Sequence, residues 1–502
     1  MTTTSITRTQ SPIRGFTLIE LLVVIVFQII FILPLVSLGN NNSTKQSKPN
    51  IIVILCDDLG RGDLGCYGHQ VIKTPNLDKM AANGILFTDC YSSSPVCSPS
   101  RAGLLTGRNP NRTGLFDWVA RGTYLKSEEI TIAEQLKKAG YQTGVFGKWH
   151  LNSRFNTDKQ PTPGDQGFDY WFATAFNASP SHKNPNNFIR NGKNVGRMDG
   201  FSAYIVADEM NSWVAGLSKK ETPFFAYVAF HEPHEPIASD EKLVEKYKGK
   251  SKIHGQDLYY ANVSQVDKAV GKITTFLKEN NLDENTLIFF TSDNGPETWM
   301  RYPGAWRSHG TPGEIDGVKL RGMKLHMTEG GIRVPGILYW PGKIKKPRIE
   351  STQVCGLDLF PTICELAGVA TPTDRKIDGE SFVPLLNNKE FEREQPLFWY
   401  YYNAFSYSTM AMRKGDFMML ARRTGDHYMP GSPFKPARMP AIKESIPRSY
   451  ELYNLKDDVG QTRFIQGKYP DVFTKMKSDI DKIFSDVQKE SPVWTEDNYR
   501  GQ

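Results

Sequence analysis

Cysteine is scarce. Six residues (Cys56, Cys66, Cys90, Cys97, Cys355 and Cys364) in a chain of 502 are too few for a disulfide-built scaffold, and no Cys-x-x-Cys pair marks a zinc ribbon or a thioredoxin couple. Any cysteine chemistry is therefore individual, with Cys355 and Cys364 either bridged in an oxidising compartment or packed in a core. Charge of one sign is lacking too. Lys+Arg 61 against Asp+Glu 54 leaves +7, spread along the chain, which is no footprint for nucleic acid and suits an anionic substrate equally well. Internal repeats are absent, and low-complexity sequence is confined to one short linker, which excludes solenoids and fibrous folds. What remains is ordinary globular usage, 39% hydrophobic and 23% charged. A chain this long exceeds the ~250–300 residues that one core organises, so a large and a smaller domain are expected.

The one long apolar run is N-terminal. Residues 16–38, interrupted by Glu20, Gln28 and Pro34 and preceded by Arg8 and Arg14, read as a membrane-targeting segment outside the fold. The opening Gly15-Phe16-Thr17-Leu18-Ile19-Glu20-Leu21-Leu22 resembles the type IV prepilin-like leader, and a cleaved secretory signal or an uncleaved anchor fits as well. Either implies an exported bacterial protein, periplasmic or associated with the cell envelope, touching a membrane only through this segment. We expect residues 1–39 to be the leader or anchor, 40–49 a polar linker, 50–394 the catalytic domain and 395–502 a C-terminal subdomain.

Short β-branched runs then end in polar residues. Ile51-Ile52-Val53-Ile54-Leu55 stops at Asp57-Asp58, and Leu287-Ile288-Phe289-Phe290-Thr291 stops at Asp293-Asn294. Residues 224–230 stop at His231 and His234, and 142–146 at Lys148 and His150. Runs without polar alternation suit strands covered on both faces, and helical patterns at 131–140 and 261–278 lie between them. The fold class predicted is α/β, a large doubly wound, mixed but mostly parallel sheet between helices. In such sheets the carboxyl ends of the strands open onto the binding crevice, so these endings should converge. An Asp pair with an Asp-Asn pair offers only oxygen donors, which selects a hard divalent cation, Ca²⁺ or Mg²⁺, over zinc.

Cys97-Ser98-Pro99-Ser100-Arg101 precedes Leu104-Leu105-Thr106-Gly107-Arg108. Pro99 suits a first helical turn, so Cys97 should sit at a helix N-terminus with Arg101 one turn below, where N–H groups, dipole and guanidinium favour an anion. This segment resembles the signature of the formylglycine-dependent sulfatases. Further family landmarks are Asp57-Asp58-Leu59-Gly60, Gly147-Lys148-Trp149-His150, Pro233-His234-Glu235-Pro236, Asp293-Asn294-Gly295, and Lys324 ahead of Glu329-Gly330-Gly331-Ile332-Arg333. The likeness spans residues 50–386 and is nearest the arylsulfatase A and N-acetylgalactosamine-6-sulfatase branch of the alkaline phosphatase superfamily.

The resemblance implies sulfate-ester hydrolysis, on a sulfated glycan or another sulfate ester, by a hydrated 3-oxoalanine (formylglycine) formed from Cys97. It implies Ca²⁺, ahead of Mg²⁺, held by Asp57, Asp58, Asp293, Asn294 and residue 97, and maturation by a formylglycine-generating or anaerobic sulfatase-maturating enzyme. Arg101 would orient residue 97. Lys148, Lys324 and His234 would surround the sulfate, with Lys324 or His234 protonating the leaving oxygen, and His150 would take the proton that releases sulfate. His231 is a substrate contact or a structural histidine. Two other classes stay open: a phosphomonoester or phosphonate hydrolase on the same superfold, and a non-catalytic envelope protein that binds sulfated glycans.

Residues 296–320 carry Trp299, Arg301, Trp306, Arg307 and His309, read as a glycan-binding wall in which rings stack on sugars and arginines pair with sulfates, or as a self-packed loop. Residues 177–199, with His182, Lys183, Arg190 and Lys193, are a second candidate wall. From residue 395 short alternating strands and an amphipathic helix after Pro470 predict a smaller α+β domain, an antiparallel sheet covered by that helix.

Overall fold

The structure, a computed structural model, describes residues 48–217, 222–251, 253–297, 310–425 and 432–500, with residues 1, 2, 5 and 10. The chain divides into two compact units, Met1–Ser47 and Lys48–Gln502. The leader expected in the first lies outside the described residues, among which no helix is long and apolar enough to cross a membrane.

In the second unit ten strands form one sheet: β1 (Asn50–Asp57), β2 (Ile85–Phe87), β3 (Gln142–Lys148), β4 (Tyr170–Thr174), β5 (Ile189–Arg190), β6 (Lys193–Asn194), β7 (Phe224–Pro233), β8 (Thr286–Ser292), β9 (Gly336–Tyr339) and β10 (Arg348–Glu350). Their order is β10-β2-β9-β8-β1-β7-β3-β4-β5-β6. The five central strands β8-β1-β7-β3-β4 are mutually parallel. β9 runs antiparallel to both its neighbours, and β5 and β6 add an antiparallel edge. The sheet is thus mixed and mostly parallel.

Side chains of successive strand residues point to opposite faces, and β1 is apolar on both. Ile51, Val53 and Leu55 enter a core with residues of α1 (Cys97–Thr106), α2 (Ile132–Lys138) and α5 (Leu359–Ala367). Ile52, Ile54 and Cys56 enter a second core with α3 (Ser202–Ala215) and α4 (Gln256–Glu279). That double burial is why the run carries no polar alternation. α2 starts on a reciprocal cap in which Thr131 Oγ1 accepts from Glu134 N and Glu134 Oε2 accepts from Thr131 N, and its end is marked by Gly140 at φ 83°.

A smaller four-stranded antiparallel sheet follows: β11 (Leu397–Tyr400), β12 (Met410–Lys414), β13 (Phe417–Arg423) and β14 (Pro447–Asn454). Met476, Ile480, Phe484 and Val487 of α6 (Pro470–Glu490) are buried against it in a third core, which also takes in Phe116. All six cysteines are free thiols. Cys355 and Cys364 pack in different cores, which decides against a bridge between them.

Candidate active site

The central parallel strands deliver their polar endings to one place. Asp57 ends β1, Lys148 ends β3, and Asp293 follows β8, while His234 follows β7 after a register shift between Leu55 and Asp57. Asp58 and His150 turn away from their strands in the left-handed region, at φ 62° and 55°. Such non-glycine geometry costs about 1–3 kcal/mol and persists where the surroundings enforce it. Here Asp58 meets Asn294 and Lys324, and His150 lines the cavity.

Cys97 is the first residue of α1, whose end is closed by Gly107 at φ 68°. One turn below it, Arg101 is fully buried and donates from Nε and Nη2 to Asp293 Oδ2 (3.1 and 2.7 Å), and from Nη1 to the Lys148 carbonyl (2.9 Å). Arg101 Nη2 also lies 3.6 Å from Asp57 Oδ1. Lys148 Nζ reaches Asp57 Oδ2 at 2.5 Å and Asn177 Oδ1 at 3.0 Å. Lys324 Nζ reaches Asp58 Oδ2 at 2.7 Å and Glu297 Oε2 at 3.2 Å. Asn294 donates to Asp58 Oδ1 (2.7 Å), and His234 Nε2 lies 3.5 Å from Asp58 Oδ2.

Burying so many charges moves their proton affinities. Burial raises Asp58, and burial followed by the charge of Asp57 pushes Asp293 up to about 7. Burial alone would raise Asp57 as well, but the Lys148 and Arg101 charges hold it well below the usual carboxylate range. Burial lowers His234 to about 3 and takes His150 well below the imidazole range, so both rings are neutral. Burial also raises the Cys97 thiol, so an unmodified sulfur here is a poor nucleophile, since the thiolate is the reactive form.

The donor set fits a divalent cation. One ligand atom each from Asp57, Asp58, Cys97 and His234 lies within 4.8 Å of the others. Asp57 Oδ1 and Asn294 Oδ1 are buried without a hydrogen-bond donor, and buried acceptors of this kind normally have a partner. Four acidic side chains (Asp57, Asp58, Asp293, Glu297) face three basic ones (Arg101, Lys148, Lys324), so a divalent ion would offset the excess of acidic groups and favour an anion above them.

Above this floor opens a cavity of about 590 Å³, lined by Cys97, Lys148, His150, His234 and Lys324 together with Val96, Trp118–Ala120, Phe176, Asn177, Glu235 and Pro236. The predicted Cys97, Arg101, Lys148, His150, His234, Lys324, Asp57, Asp58, Asp293 and Asn294 are thus brought together. His231 is not among the lining residues. Fully buried, its Nε2 is 2.8 Å from Thr174 Oγ1, its ring is edge-on to Phe188 and its Nδ1 has no hydrogen-bond partner, so it sits behind the cavity wall. Trp299, Arg301, Trp306, Arg307 and His309 lie outside the described residues. Most of the second candidate wall is engaged elsewhere: His182 packs by Glu232 and Asn262, Lys183 pairs with Glu241, and Arg190 pairs with Glu209. Of that wall Asn177 reaches the cavity, next to Phe176. Trp118–Ala120 and Glu297 were not anticipated; for Glu297 the signal was its place three residues after Asn294.

A family model described as Sulfatase matches residues 49–369. The chain belongs to the sulfatase family. A second model, for the C-terminal part of N-sulphoglucosamine sulphohydrolase, matches residues 323–419. This sulfatase is 36% identical over 405 residues to N-acetylgalactosamine-6-sulfatase of Homo sapiens, covering 76% of this chain and 73% of the relative. It is 36% identical over 382 residues to arylsulfatase A of Homo sapiens, covering 70% of each. Among solved structures, PsFucS1 sulfatase from Pseudoalteromonas sp. superposes with a TM-score of 0.69 at 27% identity, covering 89% of this chain and 92% of that one. Ps i-CgsB in complex with k-i-k-neocarrahexaose superposes with a TM-score of 0.73 at 26% identity, covering 90% and 97%. The sulfatase is therefore a sulfuric ester hydrolase, and membership implies a formylglycine at the signature cysteine together with a divalent metal.

Proposed function

We propose that this sulfatase hydrolyses sulfate esters of a carbohydrate, with Ca²⁺ held by Asp57, Asp58, Asp293, Asn294 and an oxidised residue 97. The observation that carries the reading is the convergence of Asp57, Asp58, Cys97 and His234 within 4.8 Å at the floor of the cavity. The sugar reading is supported by relatives named for N-acetylgalactosamine 6-sulfate and by the similar structure holding a neocarrahexaose. When present, the hydrated aldehyde supplies an oxygen nucleophile and the cation supplies Lewis acidity and a template.

The chain's own groups do the rest. Lys148 and Lys324, each about 1% exposed, place ammonium charge where negative charge grows on sulfate oxygens, a preorganised arrangement that is stronger in a dry site than in water. His234 turns Nδ1 to the Glu235 carbonyl at 2.6 Å, which puts the proton on Nδ1 and leaves Nε2 toward the site. That favours Lys324, whose Nζ lies by Asp58 and which lines the cavity, for protonating the departing oxygen. His150 donates Nε2–H to the Val119 carbonyl at 3.1 Å, leaving Nδ1, buried and without a partner, to accept a proton. Arg101 locks Asp293 and the end of β3 against the floor.

The apolar N-terminal segment supports delivery to the cell envelope, and maturation of Cys97 by a formylglycine-generating or anaerobic maturating enzyme completes the reading. Intact mass of the Cys97 peptide from the native host is the test: conversion of the thiol to an aldehyde is expected, and an unmodified thiol in active enzyme overturns it. Chelation should abolish aryl sulfate hydrolysis and added Ca²⁺ restore it. Faster turnover of the matched aryl phosphate would favour the phosphoester alternative.

A further inference from the structure

The wall at residues 117–120 is held from two sides. On the catalytic side, Ser98, the residue after Cys97, accepts on Oγ from Val119 N at 2.9 Å, and the Val119 carbonyl faces His150 Nε2 at 3.1 Å. On the other side stands the C-terminal sheet. Asp117, 1% exposed, accepts from Tyr401 Oη on Oδ1 (2.8 Å) and from Tyr402 Oη on Oδ2 (2.9 Å), and its Oδ1 also accepts from Trp118 N at 2.9 Å. Tyr401 and Tyr402 directly follow β11 and are each 1% exposed. Phe116 packs on Phe434 with ring centroids 5.4 Å apart.

A neutral imidazole carries its proton on one nitrogen, and the hydrogen bond offered to the other decides which. A carbonyl can only accept, so the position of Val119 O dictates that His150 protonates Nε2 and presents Nδ1 bare. Val119 is two residues from Asp117, and the carboxylate fixes the start of that turn by accepting from Tyr401, Tyr402 and Trp118 N, with Asn403 Nδ2 also 3.5 Å from Oδ2. Hydrogen bonds to a buried acceptor are costly to leave unmade, so these donors hold the short turn in place.

We propose that Asp117, clamped by Tyr401 and Tyr402 of the C-terminal sheet, is a positioning residue that sets the tautomer of His150 through the Val119 carbonyl. The small sheet is then part of the catalytic apparatus although none of its side chains lines the cavity among the described residues. The inference rests on the reading of His150 as a proton acceptor for its consequence, but the tautomer itself is independent of maturation, metal or turnover.

The test is long-range ¹H–¹⁵N spectroscopy of the full chain labelled at its nine histidine rings, with His150 assigned by its loss in His150→Gln. The wild type should show His150 as a single Nε2–H tautomer. In Tyr401→Phe/Tyr402→Phe and in Asp117→Asn, His150 should shift to an average of two tautomers while the buried His182 and His231 signals stay in place. Aryl sulfate hydrolysis should fall on the order of tenfold to a hundredfold in the same variants, the usual cost of a displaced catalytic group. A wild-type His150 protonated on Nδ1 overturns the proposal. So does an unchanged Nε2–H tautomer in the variants. Collapse of the His182 and His231 signals in every variant, including single Tyr401→Phe, would assign the clamp to folding and equally overturn it. Full activity of His150→Gln with the tautomer as expected would instead remove the catalytic role given to His150 and leave the positioning intact.

Discussion

Among the described residues, two clusters of buried charge can be set side by side, and one of them lies at the cavity. At the floor of the cavity, Asp57, Asp58, Asp293 and Glu297 meet Arg101, Lys148 and Lys324, and acceptor oxygens of Asp57 and Asn294 remain without donors. Where the main sheet meets the smaller one, Asp89 and Glu329 meet Arg333 and Arg413 around Tyr91, all at most 7% exposed. Arg333 binds Asp89 and Glu329 at 2.8 Å each, Arg413 binds Asp89 at 2.5 Å, and Tyr91 Oη donates to Glu329 Oε2 at 2.9 Å. In that second cluster two carboxylates balance two guanidinium groups and no polar side-chain atom is left without a partner. Burial of charge does not distinguish them. Unmet acceptors beneath a cavity whose lining lysines they neighbour do, because a closed network has nothing left to offer a ligand.

The largest expected difference is chemical. Cys97→Ala should lower sulfate-ester turnover on the order of 10⁴-fold or more, as loss of a nucleophile does elsewhere, while thermal stability stays within about 1 kcal/mol because a single small side chain at the cavity floor is removed. Lys148→Met should follow with a loss on the order of 10²–10³-fold in kcat, the scale of one oxyanion-stabilising donor. Asp89→Asn should do the reverse. Breaking one partner of a closed buried pair costs about 3–5 kcal/mol, read as a lower denaturation midpoint, with kcat per folded molecule changed less than about threefold. An inactive but stable Asp89→Asn protein would erase the distinction.

The smallest effect separates the clusters by pH. Asp293 has a folded pKa of about 7, above that of the unfolded chain. Between about pH 4 and 7 the native state therefore binds a proton the unfolded state has released, and this group's contribution to stability falls as pH rises. Asp89 is opposite: burial would raise it, but Arg333 and Arg413 hold it below the usual range, so its contribution is present above about pH 4 and is lost as pH falls through the lowered value. In chelated protein, Asp293→Asn should flatten the decline in Tm between pH 5 and 7, and Asp89→Asn should leave that slope unchanged.

Much of the site was legible because it is written in local runs. A strand buried on both faces must be apolar to its last residue, so Asp57-Asp58 and Asp293-Asn294 mark strand ends without any knowledge of the fold. Cys97 could be placed at a helix start from Pro99 alone. The distinction between His231 and His234 was not local in the same way: the register shift beside β7 sends one ring into the core and the next into the cavity. Residues 177–199 have the composition of a ligand wall, yet Lys183 and Arg190 are taken by Glu241 and Glu209, partners 58 and 19 residues away.

By itself the sequence determined the chemistry on offer: which strands end in oxygen donors, where the signature cysteine begins a helix, and that a parallel sheet gathers such endings on one edge. Those are consequences of periodicity and short-range sterics, which a few neighbouring residues decide. The tertiary structure alone decided which acceptors were left unmet, which histidine faces the cavity, and that Asp117 is tied to tyrosines almost 300 residues away. Hydrogen bonds and ion pairs are exclusive, and a partner that distant in the chain is chosen only when the two sheets pack.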